Sequence, residues 1–237
     1  MATLYAGTSG WAYPAWKPDF YPAKLPAAKF LGHYATRLNS VEVNVTFRRF
    51  ATAKMQENWV AATPPEFRFT IKAHQTITHV KRLREAAEFT RSFLGSLQPM
   101  VESGRLGGVL FQLPPFLKRD DALLGEFLKT LPLAVRATFE FRHPSWFADE
   151  VLDLLRDAGA ALCAAESEKL TAPDIATAGF AYYRMRKSDY SPEERKALRT
   201  KVAEHIAAGR DVFVYFKHED TPEGALYGEE LLKPASP

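Results

Sequence analysis

The sequence predicts a (β/α)8, TIM-like barrel formed as a single domain over residues 1–237. Eight short apolar segments alternate with helical patterns, which is typical of a parallel sheet with crossover helices. Eight such units in 237 residues match the usual length of a closed barrel. An open doubly wound sheet is the alternative, but no Gly-x-Gly-x-x-Gly follows a strand, so its commonest nucleotide-binding signature is missing.

The first half of the chain carries four predicted strands. They begin at Leu4, Ser40, Arg68 and Gly107, and each is rich in apolar or alternating residues. A loop rich in proline and aromatic residues, 11–26, follows the first strand and is too broken for a regular element. Helices are predicted over about 27–38, 53–62 and 85–102.

The second half repeats the alternation. Strands are predicted from Thr138, Ala160, Phe180 and Asp211. Asp120 or Asp121 caps a helix to about residue 130, and Ser145 is expected to cap a helix over about 146–157. Ser191-Pro-Glu-Glu is typical of a capped helix start with proline at the first helical position. A terminal helix is predicted over about 223–232, and the crossover at 168–178 is weak.

Composition narrows the class of protein. The chain is 46% hydrophobic and 25% charged, with a net charge of +3, so bulk charge does not favour nucleic acid. Its single cysteine, Cys163, lies in an apolar run and suits the core of a protein in a reducing compartment. The first residues pass directly into a strand pattern, and no apolar run approaches the roughly 20 residues of a membrane helix. We therefore expect a cytoplasmic protein that does not associate with membranes, and the sequence leaves its oligomeric state open.

Polar residues follow nearly every predicted strand. Since barrel sites lie at the C-terminal ends of the strands, these residues should converge on one mouth. Val41, Val43 and Val45 share one face of the second strand, so Glu42 and Asn44 share the other. A barrel strand is buried on both faces, and neither face tolerates an unpaired carboxylate.

The stretch Thr138 to Trp146 brings an acid, a guanidinium, an imidazole and an indole to the end of one strand. Glu140 follows the same logic as Glu42, with Lys72 and Arg142 as natural counterions. One interpretation is a buried ion-pair network that closes the barrel top, and the other is an acid/base pair with an anion clamp. The candidate catalytic residues are Glu42, Glu140, His143 and His79. The candidate ligand-binding residues are Trp11, Asn44, Lys72, Gln112, Arg142, Trp146, Arg184 and Lys217.

Two further groups of residues border the predicted mouth. The loop after the first strand contains Trp11, Tyr13, Trp16, Phe20 and Tyr21. This aromatic loop could pack on itself as a lid or offer a stacking platform for a base or sugar. The last two strands end in basic residues, Arg184, Arg186, Lys187, Lys217 and His218. Barrels often hold a phosphate there, and a solvated basic rim is the alternative.

A metal site is not expected. Glu42, Glu140, His79, His143 and Glu166 could in principle hold a divalent ion. The chain has no tight His-x-x-x-His or Cys-x-x-Cys spacing, and the nearby cations would oppose a metal. No Gly-x-Ser-x-Gly elbow indicates a nucleophilic serine. We therefore predict neither a metal nor another cofactor.

The chain resembles the DUF72 family, also called YecE-like proteins. The motifs that carry this resemblance are Gly7-Thr-Ser-Gly-Trp11, Val41-Glu-Val-Asn44, Lys72, Thr78-His79, Gln112-Leu-Pro-Pro115, and Glu140-Phe-Arg-His143 with Ser145-Trp146. The resemblance implies a TIM-like barrel and no established activity. The last third departs from the family pattern, with Glu166 in place of the usual aspartate, Arg184-Met-Arg-Lys187 in place of an Arg-Leu-His-Gly type motif, and Lys217-His218 in place of paired asparagines.

Two hypotheses for function follow. The first is an enzyme that acts on a small anionic or phosphorylated ligand in the barrel mouth, where Arg142 and Lys72 hold the anion. In it, Glu42 or Glu140 moves protons together with His143 or His79. The second is a non-catalytic module that binds nucleic acid through the aromatic loop and the basic rim.

Overall fold

The computed structural model describes residues 1–166, 170–217 and 221–234, and it confirms the predicted (β/α)8 barrel. All eight predicted strands form, and every paired neighbour is parallel. The strands are β1 (Leu4–Thr8), β2 (Ser40–Val43), β3 (Arg68–Lys72), β4 (Leu106–Gln112), β5 (Ala137–Glu140), β6 (Ala161–Ala165), β7 (Phe180–Met185) and β8 (Asp211–Phe216).

The helices surround this sheet. They are α1 (Phe30–Tyr34), α2 (Ala53–Ala61), α3 (Ala87–Gly95), α4 (Gln98–Glu102), α5 (Asp121–Leu128), α6 (Asp149–Asp157), α7 (Pro192–Ala207) and α8 (Glu223–Leu232). Short 3-10 turns cover Pro14–Trp16, Ala27–Lys29, Val45–Phe47 and Pro144–Trp146. The described part of the β6–β7 connection contains no helix, as the weak pattern there indicated. No helix among the described residues is long and apolar enough to cross a membrane.

Two details of the helix prediction are wrong. The predicted helix over 85–102 is divided into α3 and α4, and Pro99 lies in the first turn of α4 because proline lacks the N–H that a helix interior needs. Ser145 does not cap α6, whose N-cap is Ala148. Its hydroxyl instead accepts a hydrogen bond from the backbone N–H of Arg119 at 2.9 Å. The capping box at Ser191 is present as predicted.

The strand order β1-β8-β7-β6-β5-β4-β3-β2 brings the first and second strands together at a seam. Side chains bridge this seam. The Tyr34 hydroxyl accepts from Thr8 N at 2.8 Å and donates to Ser40 O at 2.9 Å. Asn39 binds the backbone of β1 through Ala6 N at 2.9 Å and Leu4 O at 2.8 Å. The sheet therefore closes into a barrel through tyrosine and asparagine side chains.

The two faces of each strand have different neighbours. Val41 and Val43 pack outward in the apolar layer between the strands and the helices. The opposite face fills the lumen, where Tyr5, Leu110, Cys163, Phe180, Tyr182, Phe213 and Tyr215 form a separate cluster. In the middle of the lumen the Tyr215 hydroxyl is 2.6 Å from Ser40 Oγ and 2.7 Å from Thr70 Oγ1. The lumen is thus a packed core up to the level of Glu42, where charged side chains begin.

Candidate functional site

A buried ion pair between Glu42 and Arg184 lies at the centre of the upper lumen. Arg184 donates through Nε to Glu42 Oε2 at 2.9 Å and through Nη2 to Oε1 at 2.7 Å. Ser9 Oγ and the Tyr182 hydroxyl each donate to the same carboxylate at 2.8 Å. Arg186 reaches it through Nη2 at 3.3 Å. Glu42 is completely buried, and its two oxygens are engaged by protein donors.

Glu140 on β5 connects this pair to the open side of the mouth. Arg184 Nη1 donates to its Oε2, and Gln112 Nε2 donates to its Oε1 at 2.8 Å. Arg142 Nε lies 3.2 Å from the same Oε1. On the other side, Lys72 Nζ donates to Gln112 Oε1 at 2.9 Å. We call the connected side chains the mouth cluster: Ser9, Glu42, Lys72, Gln112, Glu140, Arg142, Tyr182, Arg184 and Arg186.

Both carboxylates of the mouth cluster are ionised. Burial alone would raise the pKa of Glu42, but the guanidinium groups of Arg184 and Arg186 outweigh burial and hold this pKa far below its usual range. For Glu140, burial is likewise outweighed by Arg184 and Arg142, and its pKa is lowered. The same carboxylates raise the pKa of Arg184 against the effect of burial. Charge pairing in a region of low dielectric therefore fixes all three charges.

The mouth cluster carries more positive than negative charge. It contains four cations, namely Lys72 and three arginines, and only two carboxylates. Arg142 and Arg186 line a cavity of about 210 Å³ together with Pro115, Glu140, Phe141, Ala165, Glu166 and Leu170. The side chain of Arg142 is 44% exposed, whereas that of Arg184 is buried. The wall of this cavity carries two guanidinium groups and two carboxylates, and the surplus of positive charge belongs to the mouth cluster beside it. Guanidinium groups suit the binding of a small anion.

Glu166 also lies in the wall of this cavity, but its charge has a counterion. Lys187 Nζ is 3.8 Å from one Glu166 oxygen, and the Tyr190 hydroxyl donates to the other. Lys187 further contacts Glu194 at 2.7 Å, so this part of the basic rim is neutralised by acidic neighbours. One lysine thus faces two carboxylates, and with these three side chains included the surplus of positive charge at the mouth falls from two charges to one.

Lys72 and His79 form the other side of the mouth. Lys72 Nζ is 4.4 Å from the centre of the Phe47 ring, and the His79 ring meets Phe47 edge-on at 4.9 Å. Thr78 Oγ1 lies 2.8 Å from His79 Nδ1. Burial, followed by the charges of Lys72 and Arg142, lowers the pKa of His79, which keeps its imidazole neutral at pH 7. A neutral imidazole beside cations can accept a proton.

Backbone strain accompanies the segment that carries His79. Residues Thr76–Val80 form a single π-helical turn, a form of helix that is frequent at functional sites. Arg82, Leu83 and Glu85 then adopt positive φ angles of 51°, 70° and 47°. Such conformations cost about 1 kcal/mol or more each for non-glycine residues, and strained backbone is concentrated in binding segments.

Asn44 follows β2 at the edge of the mouth. Its Oδ1 is buried and has no hydrogen-bond partner among the described residues. A buried amide oxygen without a partner costs about 1–3 kcal/mol, so an external donor at this position would be favoured. The structure thus leaves Asn44 available as an acceptor for a ligand.

Several predicted site residues have other roles in the structure. Trp146 is completely buried, stacks on Phe141 at 4.7 Å and donates to Leu117 O at 2.8 Å, and its contact with a ligand stays a prediction. Glu42 has no exposed surface and its oxygens are engaged by protein donors, and its catalytic role also stays a prediction. His143 accepts from Ser145 N at 3.2 Å and caps the 3-10 turn there, apart from the mouth cluster.

The aromatic loop packs inward. Trp16, Phe20 and Tyr21 are completely or almost completely buried, and Tyr21 stacks on Phe30 at 4.2 Å. Trp11 packs edge-on against Trp59, which stacks on Phe69 in the outer apolar layer. Three of the five rings of the loop are therefore buried, and ligand binding by Trp11, which is half-buried, stays a prediction.

The remaining basic residues divide into two groups. Arg184 is buried as the counterion of both glutamates, and ligand binding by its side chain stays a prediction. Lys217 donates its backbone N–H to Met185 O at 2.8 Å, and ligand binding by its side chain stays a prediction. His218 lies outside the described residues. The ligand-binding roles of Lys72, Gln112 and Arg142 and the catalytic roles of Glu140, His79 and His143 also stay predictions.

The principal counterion of the two glutamates was not predicted from the sequence. Lys72 and Arg142 were expected to pair with Glu42 and Glu140, whereas Arg184 contacts both carboxylates in the structure. Tyr182, which donates to Glu42, was not predicted either. Alternation along β7 puts Phe180, Tyr182 and Arg184 on one face, and this is the sequence signal that could have grouped both residues as partners of a buried carboxylate.

The fold and the mouth define a class: a single-domain TIM-like barrel with a buried charge network and an anion-compatible cavity at the C-terminal ends of its strands. The chain belongs to the family described as "Protein of unknown function DUF72", whose model matches residues 5–236. Relatives include the UPF0759 proteins YunF of Bacillus subtilis (strain 168), 31% identical over 151 residues, and YecE of Escherichia coli (strain K12), 32% identical over 146 residues. Each alignment covers 61% of this chain, and 52% of YunF and 50% of YecE, so it spans about half the length of these relatives.

Solved structures agree with this assignment. A DUF72 family protein from Thermotoga maritima MSB8 has a TM-score of 0.86 and 27% identity, and the match covers 97% of each chain. A D-psicose 3-epimerase from Clostridium cellulolyticum H10 has a TM-score of 0.53 at 10% identity, covering 97% of this chain and 90% of the epimerase. The second likeness shows the barrel fold alone.

Proposed function

We propose that the protein is an enzyme acting on a small anionic ligand, bearing a phosphate or carboxylate group, in the C-terminal mouth of the barrel. The observation that carries this proposal is the surplus of positive charge in the mouth cluster, next to a cavity walled by Arg142 and Arg186. Buried cations are normally matched by anions of the protein, so an excess indicates that an external anion completes the pairing.

The residues of the mouth cluster have different roles in this proposal. Glu42 and Glu140 hold the guanidinium groups of Arg184, Arg186 and Arg142 in place, because both are ionised and engaged by donors. Arg142 offers an exposed planar donor group that suits bidentate binding of carboxylate or phosphate. Burial, followed by nearby cations, lowers the pKa of both His79 and Lys72. His79 can therefore accept a proton near neutral pH, whereas Lys72, with a pKa of about 8, is mostly the charged ammonium at pH 7 and can donate one.

The alternative hypothesis, that the protein binds nucleic acid, has less support from the structure. It depended on an aromatic platform beside the mouth, and three of the five rings in that loop are buried in the protein. Part of the basic rim is also paired with acidic residues. A small ligand is therefore the better match for a cavity of about 210 Å³.

The anion site can be tested by titrating the protein with inorganic phosphate in a calorimeter. Arg142→Ala should weaken binding at least about tenfold, because a charge-assisted hydrogen bond is lost. Arg156→Ala is the matched control, since its side chain is 45% exposed against 44% for Arg142 and is paired with Asp153 in α6. Equal affinities of the wild type and both variants, or no binding of phosphate to the wild type, would overturn the proposal.

A further inference from the structure

Lys72 differs from the other three cations of the mouth cluster in its partner. Arg142, Arg184 and Arg186 each lie within 4.0 Å of a carboxylate oxygen. Lys72 Nζ instead donates to the neutral amide oxygen of Gln112 at 2.9 Å. In the described part of the chain, no carboxylate forms an ion pair with Lys72. Its ammonium group therefore lacks the direct stabilisation that the arginines receive.

The surroundings of Lys72 favour the uncharged amine. Burial in the lumen, followed by repulsion from Arg184, lowers the pKa of Lys72 to about 8, although Glu42 and Glu140 partly oppose this effect. About a tenth of the side chain is then the free amine at pH 7 and about half at pH 8, and the free amine is the nucleophilic form. Lys72 as a whole is half-buried rather than fully enclosed.

Groups that a carbonyl addition can use lie on the strand ends and loops next to this amine. His79 is neutral and packs against the same Phe47 ring as Lys72, where it can carry a proton. Arg142 lies two strands away and is available for the anionic group of a substrate. Gln112 Oε1 accepts a hydrogen bond from Lys72 Nζ and so restrains the position of the nitrogen.

We propose that Lys72 forms an imine with the carbonyl carbon of a small anionic aldehyde or ketone, a step that rests on the anion binding proposed above. The nitrogen lone pair attacks the carbonyl carbon, a C–N bond forms, and the proton released by nitrogen passes to the carbonyl oxygen. The C–O bond of this carbinolamine then breaks, and its oxygen takes a second proton and leaves as water. The product is a protonated imine, and no oxidant or reductant is needed. His79 carries the protons, and Arg142 with Arg186 holds the anionic group.

Pyridoxal 5′-phosphate is a suitable probe, because it joins an aldehyde to a phosphate. The protein is incubated with this probe, reduced with borohydride to fix any imine, digested and mapped by mass spectrometry. We expect faster modification of Lys72 than of the exposed Lys54, with a rate that rises through pH about 8 and falls when inorganic phosphate is added. Lys72→Arg keeps the charge and should abolish modification at this position, whereas Lys54→Arg should leave labelling of Lys72 unchanged.

The possible results separate this inference from the anion site. Phosphate binding by calorimetry together with an unmodified Lys72 would overturn the imine and leave the proposed function standing. Labelling of Lys72 no faster than that of Lys54 would also overturn it. Equal labelling of Lys72 by pyridoxal, which lacks the phosphate, would overturn the requirement for an anionic substrate. Selective labelling that phosphate suppresses would support both proposals.

Discussion

At the scale of single residues, Glu42 shows what a completely buried carboxylate requires. Its removal from water costs several kcal/mol, and the donors Arg184, Arg186, Ser9 and Tyr182 offset that cost. Each donor lies on a different part of the barrel from Glu42. The charge is thus satisfied only when β1, β2 and β7 are all in place, which links a single side chain to closure of the barrel.

Glu42→Gln should lower the free energy of unfolding by about 3–5 kcal/mol, because Arg184 then remains buried with one of its two counterions missing. Urea unfolding at pH 7 measures the difference. Glu57→Gln is the control, since Glu57 is 58% exposed and its ion pair with Lys54 is 3.5 Å long, so its effect should stay within about 0.5 kcal/mol. Similar small losses for both variants would mean that the buried pair contributes little to stability.

At the scale of elements, the seam between β1 and β2 is the least regular part of the barrel. Tyr34 and Asn39 side chains bridge the two strands, and Gly7 lies where the strands approach most closely. A Cβ atom at Gly7 would come within 1.9 Å of Ser40 O, which no side-chain rotation can relieve. Glycine at this position therefore permits the close approach that closes the barrel.

Gly7→Ala should destabilise the protein by at least about 3 kcal/mol, because the backbone of one strand must move. Gly95→Ala is the matched control at the end of α3, where an added Cβ meets nothing within 4 Å. This second change should be neutral or stabilising by up to about 1 kcal/mol, since glycine is a poor helix former. Equal thermal unfolding temperatures for the two variants would show that the seam tolerates expansion.

At the scale of the whole molecule, the barrel is divided into an apolar lower lumen and a charged mouth. Aromatic rings fill the lower part, and the ionised glutamates lie above them. Since Glu42 and Glu140 have lower pKa values in the folded protein than the usual value of about 4.3, their stabilisation is complete above that pH. It is lost as the pH falls through their folded pKa values.

Acid should therefore reduce the advantage of the wild type over Glu42→Gln. We expect the difference in their unfolding free energies to be constant above pH about 5 and to shrink below pH about 4.3, by about 1.4 kcal/mol for each pH unit. Urea unfolding of both proteins between pH 3 and pH 7 measures this difference. A difference that stays constant down to pH 3 would contradict the assigned ionisation of Glu42.

Much of the fold and part of the site could be predicted from the sequence. Alternation of apolar residues predicted the strands, and the parity of β2 placed Glu42 on the face opposite Val41 and Val43, whereas the structure shows that this face lines the lumen. The ends of the strands located the mouth, because parallel strands of a barrel end at the same face. Whether the aromatic loop packs on the protein or offers exposed rings could not be predicted. Trp16 and Tyr21 suit a lid and a stacking platform equally well until their packing partners are known.

The sequence by itself determined the alternation of strands and helices, the separation of Glu42 from the valine face of β2 and the strand ends at which polar residues collect. Only the tertiary structure decided which cation pairs with which carboxylate. Glu42 and Arg184 are 142 positions apart, and their pairing depends on the distance across a closed barrel, which local patterns do not specify. The same geometry leaves Lys72 bound to a neutral amide, because Arg184 already occupies both glutamates.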